Sequence, residues 1–452
     1  MARDFLPYDL DQHYLLPPDM REWLPAGHLV WFVSDVADNL DLSAVIGAYE
    51  KHELRGRPGY HPAMMVKLLL YAYCVGKPSS RRVEKATFEE LPFRVLAADQ
   101  HPDHASIAAF RRRHLPALSG LFLQVLTLCR KAGLAKLGHV ALDGTKLRAN
   151  ASRHKAMSYG RMCSAEEQLA AEVAELLREA ERVDAREDGL YGKERRGDEL
   201  PKELARRETR LEKIRAAKEA LEREARERAE GAAEEARERL RVREAKEAER
   251  GKRFGGRPPA VPDPEAARPG PDEQKNFTDP ESRIMVDGAT GSFIQAYNAH
   301  AAVDSGSQVI VAASLTQDAN DKQHLRPLLA QIAADLGALP QRVSADSGFY
   351  SADNLTDPAL AEVELYVPPE KRVQKSAVAA AMREKLASEE GGAVYARRKA
   401  VVEPVFGQVK EVRGFRRFSL RGLKLVGEEW QLVCLTHNIL KLYRSGAWPL
   451  PA

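Results

Sequence analysis

Apolar residues recur at helical spacing along the first 136 positions. Pro62 leads Ala63-Met64-Met65-Val66-Lys67-Leu68-Leu69-Leu70-Tyr71, a run that is apolar almost all round, with proline where a first helical turn tolerates it. Ser79 and Ser80 are placed to cap the segment that follows, Arg81-Arg82-Val83-Glu84-Lys85-Ala86. His104-Ala105-Ser106-Ile107-Ala108-Ala109-Phe110 then runs into Arg111-Arg112-Arg113-His114. Residues 1–136 therefore predict an all-α domain. It is either a helix-turn-helix reader of DNA or an ordinary bundle with a solvated arginine face.

The period changes after Gly138. A short β-prone run, His139 to Leu142, ends in Asp143-Gly144, and Lys146, Arg148, Arg153 and Lys155 follow closely. Residues 137–160 read as the first strand of a second domain. From 161 to 250 the beat becomes heptad, with Leu169, Val173, Leu176, Ala180 and Val183, resumed by Leu211, Ile214, Lys218, Leu221 and Ala225. Gly189, Gly192, Gly197 and Pro201 interrupt it, so an antiparallel coiled-coil hairpin is expected rather than one rod. Residues 251–276, rich in Gly and Pro, read as a flexible linker.

Residues 277–445 alternate strands and helices. Phe293–Val303 and Gln308–Leu315 are strands joined through Asp304-Ser305-Gly306-Ser307, Asp321–Leu336 is a helix, Arg342–Gly348 is a strand ending in a carboxylate, Asp346, and glycine, and Glu362–Val367 is a further strand. A meander followed by alternation predicts a mixed α/β sheet covered by helices.

Composition changes this picture in one place. The 452 residues allow about three folding units. Charged residues make up 30%, and residues 161–250 alone hold 26 acidic and 23 basic ones. That stretch is a solvated arm or, in the alternative, a contact for a partner or DNA. A net charge of +3 excludes a polycation but not local basic patches. Met1 to Pro7 shows no apolar core of a signal peptide, and the run from Met64 to Val75, with Lys67 inside it, falls short of the roughly 20 residues a membrane span needs. A cytoplasmic protein is expected. Cys74, Cys129, Cys163 and Cys434 lie far apart without CxxC or nearby histidine pairs, the usage of reduced thiols rather than of zinc or disulfides.

Two acids at strand ends, Asp143 and Asp346, are joined by Glu403 within a basic stretch. Three carboxylates can hold two Mg²⁺ ions, and such a pair stabilises both the attacking and leaving oxygens of a phosphoryl displacement. Without cations the acids would repel one another and raise at least one pKa, so a site ordered only with metal is expected. Between Tyr395 and Leu425, nine basic residues face only Glu403 and Glu411. Arg413, Arg416 and Arg417 interleave with Phe415 and Phe418, which suits phosphate contact by the arginines and either base stacking or core packing by the rings. Asn298 and His300 lie on a strand near the sheet core. Asp318 and Asp321 precede a helix, where capping is the default reading and a metal role the alternative. Phe349-Tyr350 is a packing pair or a holder for a flipped base, and Asn438 reads as structural.

Together with Thr278-Asp279-Pro280-Glu281-Ser282-Arg283-Ile284-Met285, Gly59-Tyr60-His61-Pro62 and Pro102-Asp103-His104-Ala105-Ser106-Ile107, these acids make the chain resemble the DDE transposases of bacterial insertion sequences. The resemblance runs from about residue 55 to 445, apart from the charged insert. It implies a ribonuclease H-like core, a mixed five-stranded sheet with flanking helices, that binds terminal inverted repeats, cuts there and joins 3′ ends to target DNA. It also implies two Mg²⁺ per site, with Mn²⁺ able to substitute, and at least a homodimer on DNA. By position, Asp143 and Asp346 resemble the first and second metal ligands, on the first and fourth strands, and Glu403 the third, on a late helix. Tyr395, Arg398, Glu403 and Lys410 follow the family's tyrosine-arginine-glutamate-lysine motif. Arg398 stands one residue further from Glu403 than usual and Lys399 fills the usual slot, so either is a candidate for phosphate contact. Lys146, Lys410, Arg413, Arg416, Arg417 and Arg421 complete the expected DNA-binding set. Pro404 predicts that the helix starts or kinks at Glu403. Only 57 positions separate Asp346 from Glu403, so the insert lies early, between the first two strands, where it is expected to serve dimer pairing or end contact. Two alternatives are an inactivated or co-opted transposase that only binds DNA and a metal nuclease that cuts without joining.

Overall fold

Capping side chains open several helices in the computed structural model, which describes residues 19–50, 59–191, 202–288, 290–370 and 376–448. The chain divides into two compact units, one of residues 1–148 and 297–452 and one of residues 149–296.

The first unit opens with α1 (Leu29–Asp38), α2 (Ser43–Glu50), α3 (Pro62–Cys74), α4 (Ser80–Glu89), α5 (Leu91–Leu96) and α6 (His104–Lys131). His61 Nδ1 accepts from the Ala63 N–H at 3.3 Å and Pro62 sits in the first turn, so α3 begins where its sequence predicts. Asp103 caps α6 through the Ala105 and Ser106 N–H groups, both at 2.9 Å. Ser79 occupies the N-cap of α4 but makes no capping bond with its side chain.

The sheet follows with β1 (His139–Arg148), and α13 (Leu423–Ser445) closes the chain against α6, α3 and the sheet. Helix α13 is buried nearly all round, from Val426 and Trp430 to Leu442. Asn438 in its centre pairs with the backbone N–H and C=O of Ile310, each at 2.8 Å, which confirms its structural reading. Four further strands belong to this sheet: β5 (Phe293–Asp304), β6 (Ile310–Thr316), β7 (Arg342–Ala345) and β8 (Glu364–Tyr366), in the order β6-β5-β1-β7-β8. Strands β5 and β6 form the expected hairpin, with a register shift at Ala302/Val303, and β1, β7 and β8 run parallel. The Ser305 N–H donates to His139 C=O at 2.9 Å, so the end of β5 meets the start of β1. Helices α9 (Leu325–Leu336), α10 (Ala352–Leu355), α11 (Ala377–Ala387) and α12 (Glu389–Gly407) fill the connections, and a π-helical turn, Gln408–Val412, continues α12.

The second unit holds α7 (Tyr159–Tyr191) and α8 (Lys202–Arg250), with β2 (Ala156–Ser158) paired antiparallel to β3 (Gln274–Asn276). Here β4 (Arg283–Val286) pairs with residues 293–296 of β5, a sixth strand beyond the five expected. Glu166 meets Arg215 and Lys218 while Glu172 meets the earlier Arg207, which makes the two helices antiparallel. Met162, Leu169, Leu211, Ile214 and Leu221 form their shared apolar core, as the heptad spacing predicts. Residues 251–273 form turns tied back to α8 by Arg243, whose guanidinium donates to the Phe254 and Gly256 carbonyls at 2.8 and 3.1 Å.

Among the described residues no helix is long and apolar enough to cross a membrane. All four cysteines are free.

Candidate active site

Parallel register brings two acids together. Leu142 pairs with Ala345, so Asp143 and Asp346 are the next residues on adjacent strands and their side chains share one face of the sheet. Strand β7 ends there, and Asp346 caps the short turn Ser347–Phe349 by accepting from the Gly348 N–H at 2.9 Å. Strand β1 does not end at Asp143 as the sequence suggested; it continues to Arg148 because Gly144 leaves room for what lies opposite. A Cβ at Gly144 would come within 3.1 Å of His300, Asp321 and Asn298, and one at Gly348 within 3.0 Å of Asp321 and Asp346.

Asp321 is therefore the acid the structure adds to the pair. The capping default is corrected here: His324, not Asp321, holds the N-cap of α9, and the Asp321 carboxylate turns to the sheet instead. Asn298 Nδ2 donates to Asp321 Oδ1 at 2.6 Å, and His300 Nε2 lies 2.8 Å from the same oxygen. Asn298 and His300 are two apart on β5, so alternation aims both at one point. Lys146 Nζ stands 3.9 Å from Asp321 and donates to the Ala319 carbonyl at 3.0 Å. Phe349 is buried edge-on to His300, so it packs as expected of a core ring.

Electrostatics follow from burial and these partners. Burial, opposed by Arg398 and reinforced by Asp346, pushes the Asp143 carboxyl up to about 6. Burial and the Asp321 charge raise Asp346. Burial would raise Asp321 too, but His300, Asn298 and Lys146 together hold it below the usual carboxylate range. Lys146 is lowered by burial despite its three acidic neighbours.

Helix α12 carries the rest of the motif, and it overturns the expected start at Glu403. It begins at Glu389, capped by Ser388, and Pro404 lies inside it. The proline removes the N–H that would serve the Ala400 carbonyl, and Gln308 Nε2 replaces it at 3.1 Å. Because the helix is continuous, Arg398 and Glu403, five residues apart, point about 140° away from each other. Arg398 faces inward, 10% exposed, and donates to Asp143 Oδ2 at 2.9 Å. Glu403 and Lys399 lie exposed on the outer side. The structure thus brings Asp143 and Asp346 together, places Arg398 rather than Lys399 beside them, and leaves Glu403 outside the cluster. Among the described residues no group of three or more His, Cys, Asp or Glu is placed to hold a metal ion.

The expected basic set is dispersed. Arg413 is corrected from a surface contact to a core residue: it is buried, and its guanidinium donates to the carbonyls of Tyr73 at 3.1 Å and Val433 at 3.2 Å and to Thr436 Oγ1 at 2.5 Å. Phe415 and Phe418 are buried as well, which excludes base stacking in this arrangement. Lys410 Nζ donates to the Lys146 carbonyl at 3.1 Å. Arg416, Arg417 and Arg421 remain exposed, Arg416 paired with Glu411.

The sheet thus presents paired carboxylates with flanking cations. Residues 270–439 match the family described as Transposase DDE domain, and residues 18–113 match a second, Transposase domain (DUF772). The chain is a DDE transposase of the insertion-sequence kind. No curated protein and no solved structure matches it.

Proposed function

We propose that this transposase cleaves DNA at transposon ends and transfers the strand to target DNA by two-metal phosphoryl transfer on a ribonuclease H-like core. The observation that carries the reading is the Leu142–Ala345 register, which sets Asp143 and Asp346 side by side on neighbouring parallel strands. Counted within the first unit, β7 is the fourth strand, where the resemblance puts the second acid.

Enzymes of this family use divalent metal ions. The residues present suit a hard cation in part: Asp143 and Asp346 offer only acceptor oxygens, and Asn298 Oδ1 is a buried acceptor without a partner that faces Gly144. Asp143 and Asp346 would hold the metal, with Mg²⁺ the proposed ion; Glu403, exposed on the outer side of α12, is proposed as the third ligand by its place in the motif alone. A divalent pair there supplies charge neutralisation at the scissile phosphate and activation of water or a 3′-hydroxyl. The chain's own part is positioning. Asn298 and His300 fix Asp321, Asp321 fixes Lys146, and Lys146 sets a positive charge beside the paired acids, where phosphate oxygens must come. Exposed Arg416, Arg417, Arg421 and Lys399 are proposed to hold the DNA backbone, and a DNA-bound homodimer is proposed to pair two ends.

A labelled duplex carrying one element end, incubated with Mg²⁺, tests this. Wild-type protein should yield cut and joined products. Asp143→Asn, Asp346→Asn and Glu403→Gln should each lower cleavage about 100-fold or more while keeping end binding. Full cleavage by any one variant removes that residue from the mechanism. Cut ends without joined product would mark a nuclease, and binding without cutting an inactivated enzyme.

A further inference from the structure

Apart from the carboxylates, the second unit carries a cleft of about 1000 Å³ formed by residues 154–157, the start of α7 and the first turns of α8. Its walls bear His154, Lys155, Arg161, Arg206, Arg210 and Lys213, and no acidic residue lines it. Arg206, Arg210 and Lys213 are spaced four and three apart, so they share one face of α8. Glu208 and Glu212 fall on the opposite face, about 200° round from Arg206 and Arg210 respectively. The floor is apolar, with Met157, Ile214 and Phe277.

Elsewhere in the unit many charges are paired. Glu166 meets Lys218 at 2.9 Å, Glu172 meets Arg207 at 3.3 Å, Glu224 meets Arg283 at 3.0 Å, and Arg228 meets Glu273 at 2.6 Å. Among the described residues none of the five Lys and Arg side chains of the cleft is in such a pair. Five like charges held around one concavity repel one another and focus a positive potential, an arrangement that a polyanion offsets.

We propose that this cleft seats the sugar-phosphate backbone of duplex DNA as a contact independent of the carboxylate pair. The cleft is far larger than one phosphate ion, which favours a chain of phosphates over a free anion. Arginine forks suit phosphate oxygens, and an apolar floor offers no hydrogen bonds to base edges, so the contact carries affinity without sequence choice. The proposal rests on the reading of the chain as an enzyme acting on DNA.

Anisotropy of a fluorescein-labelled 30-base-pair duplex of arbitrary sequence, titrated with full-length protein between 50 and 200 mM KCl, tests it. Three lost phosphate contacts should make the plot of log K against log salt shallower by about 2 to 3 in Arg206→Ala/Arg210→Ala/Lys213→Ala. Arg206→Lys/Arg210→Lys should keep the wild-type slope. Arg237→Ala/Arg241→Ala/Lys246→Ala, which removes the same net charge elsewhere on α8, should also keep it. An unchanged slope in the cleft variant overturns the proposal, as does a slope change matched by the control. If DNA binding is unchanged but the DNA-free variant sediments as a smaller species, the cleft is a self-association surface and the DNA assignment falls. Preserved cleavage of end DNA by the wild type in those cases leaves the transposase reading standing; a wild type that neither binds nor cuts DNA overturns both.

Discussion

Asp143 is held by opposing forces. Burial pushes its carboxyl up to about 6, while Arg398 at 2.9 Å favours the ionised form. A folded-state pKa above the unfolded one means that the folded protein takes up a proton between about pH 4 and pH 6. Without a divalent ion, this residue's contribution to stability is therefore present in acid and lost as pH rises through about 6. A divalent ion needs the charged form, so its affinity should run the other way. We expect Mn²⁺ binding, followed by calorimetry, to weaken about tenfold from pH 7 to pH 5 and to level off above pH 7. A flat profile would show that Asp143 is no ligand. Asp143 and Asp346 could be read as a pair because each closes a short β-prone run shortly before a glycine, Gly144 or Gly348. Asp321 was hidden because an acid before a helix reads as a cap. The signal for it lay on β5, where Asn298 and His300 alternate onto the same face and need a common partner.

Helix α12 shows why the third acid could be named but not placed. Spacing along the chain put Glu403 in the motif, yet only the continuity of the helix decides which way it faces. Proline suggested a break, and a break would have freed Glu403 from the direction set by Arg398. The break does not occur because the Ala400 carbonyl orphaned by Pro404 finds Gln308, a residue 92 positions earlier that no local pattern could supply. The register changes just beyond instead, at the π turn Gln408–Val412, and such turns are frequent at functional sites. Arg398 thereby donates to Asp143, the carboxylate proposed to hold a divalent ion, with its Nε buried and unpartnered. At pH 8.5, where Asp143 is ionised, Arg398→Ala should bind Mn²⁺ several-fold more tightly than wild type, because the competing guanidinium is gone. Equal or weaker binding by the variant at that pH would show that Arg398 supports the metal site rather than blocking it.

At the scale of the whole chain, the two units keep separate cores: one built on α3, α6, α13 and the sheet, the other on the apolar seam between α7 and α8. The all-α start, the charged hairpin and the mixed sheet were all readable as changes of period. The pairing of β4 with β5 was not, because four residues of edge strand carry too little pattern to separate from a loop. Every residue of the carboxylate site, from Asp143 and Lys146 to Asn298, His300, Asp321, Asp346 and Arg398, belongs to the first unit. A ligand that binds only the folded form raises stability by RT ln(1 + [L]/Kd), about 2.7 kcal/mol at a hundredfold excess over Kd. In scanning calorimetry, saturating Mn²⁺ should therefore lift the transition of the first unit by a few degrees and leave that of the α7–α8 unit where it is. Asp143→Asn/Asp346→Asn should abolish the lift. Because β5 runs from residue 293 in one unit to residue 304 in the other, a single transition moving as a whole would mean that this strand couples the two cores. A lift confined to the α7–α8 transition would place the cation away from Asp143 and Asp346 altogether.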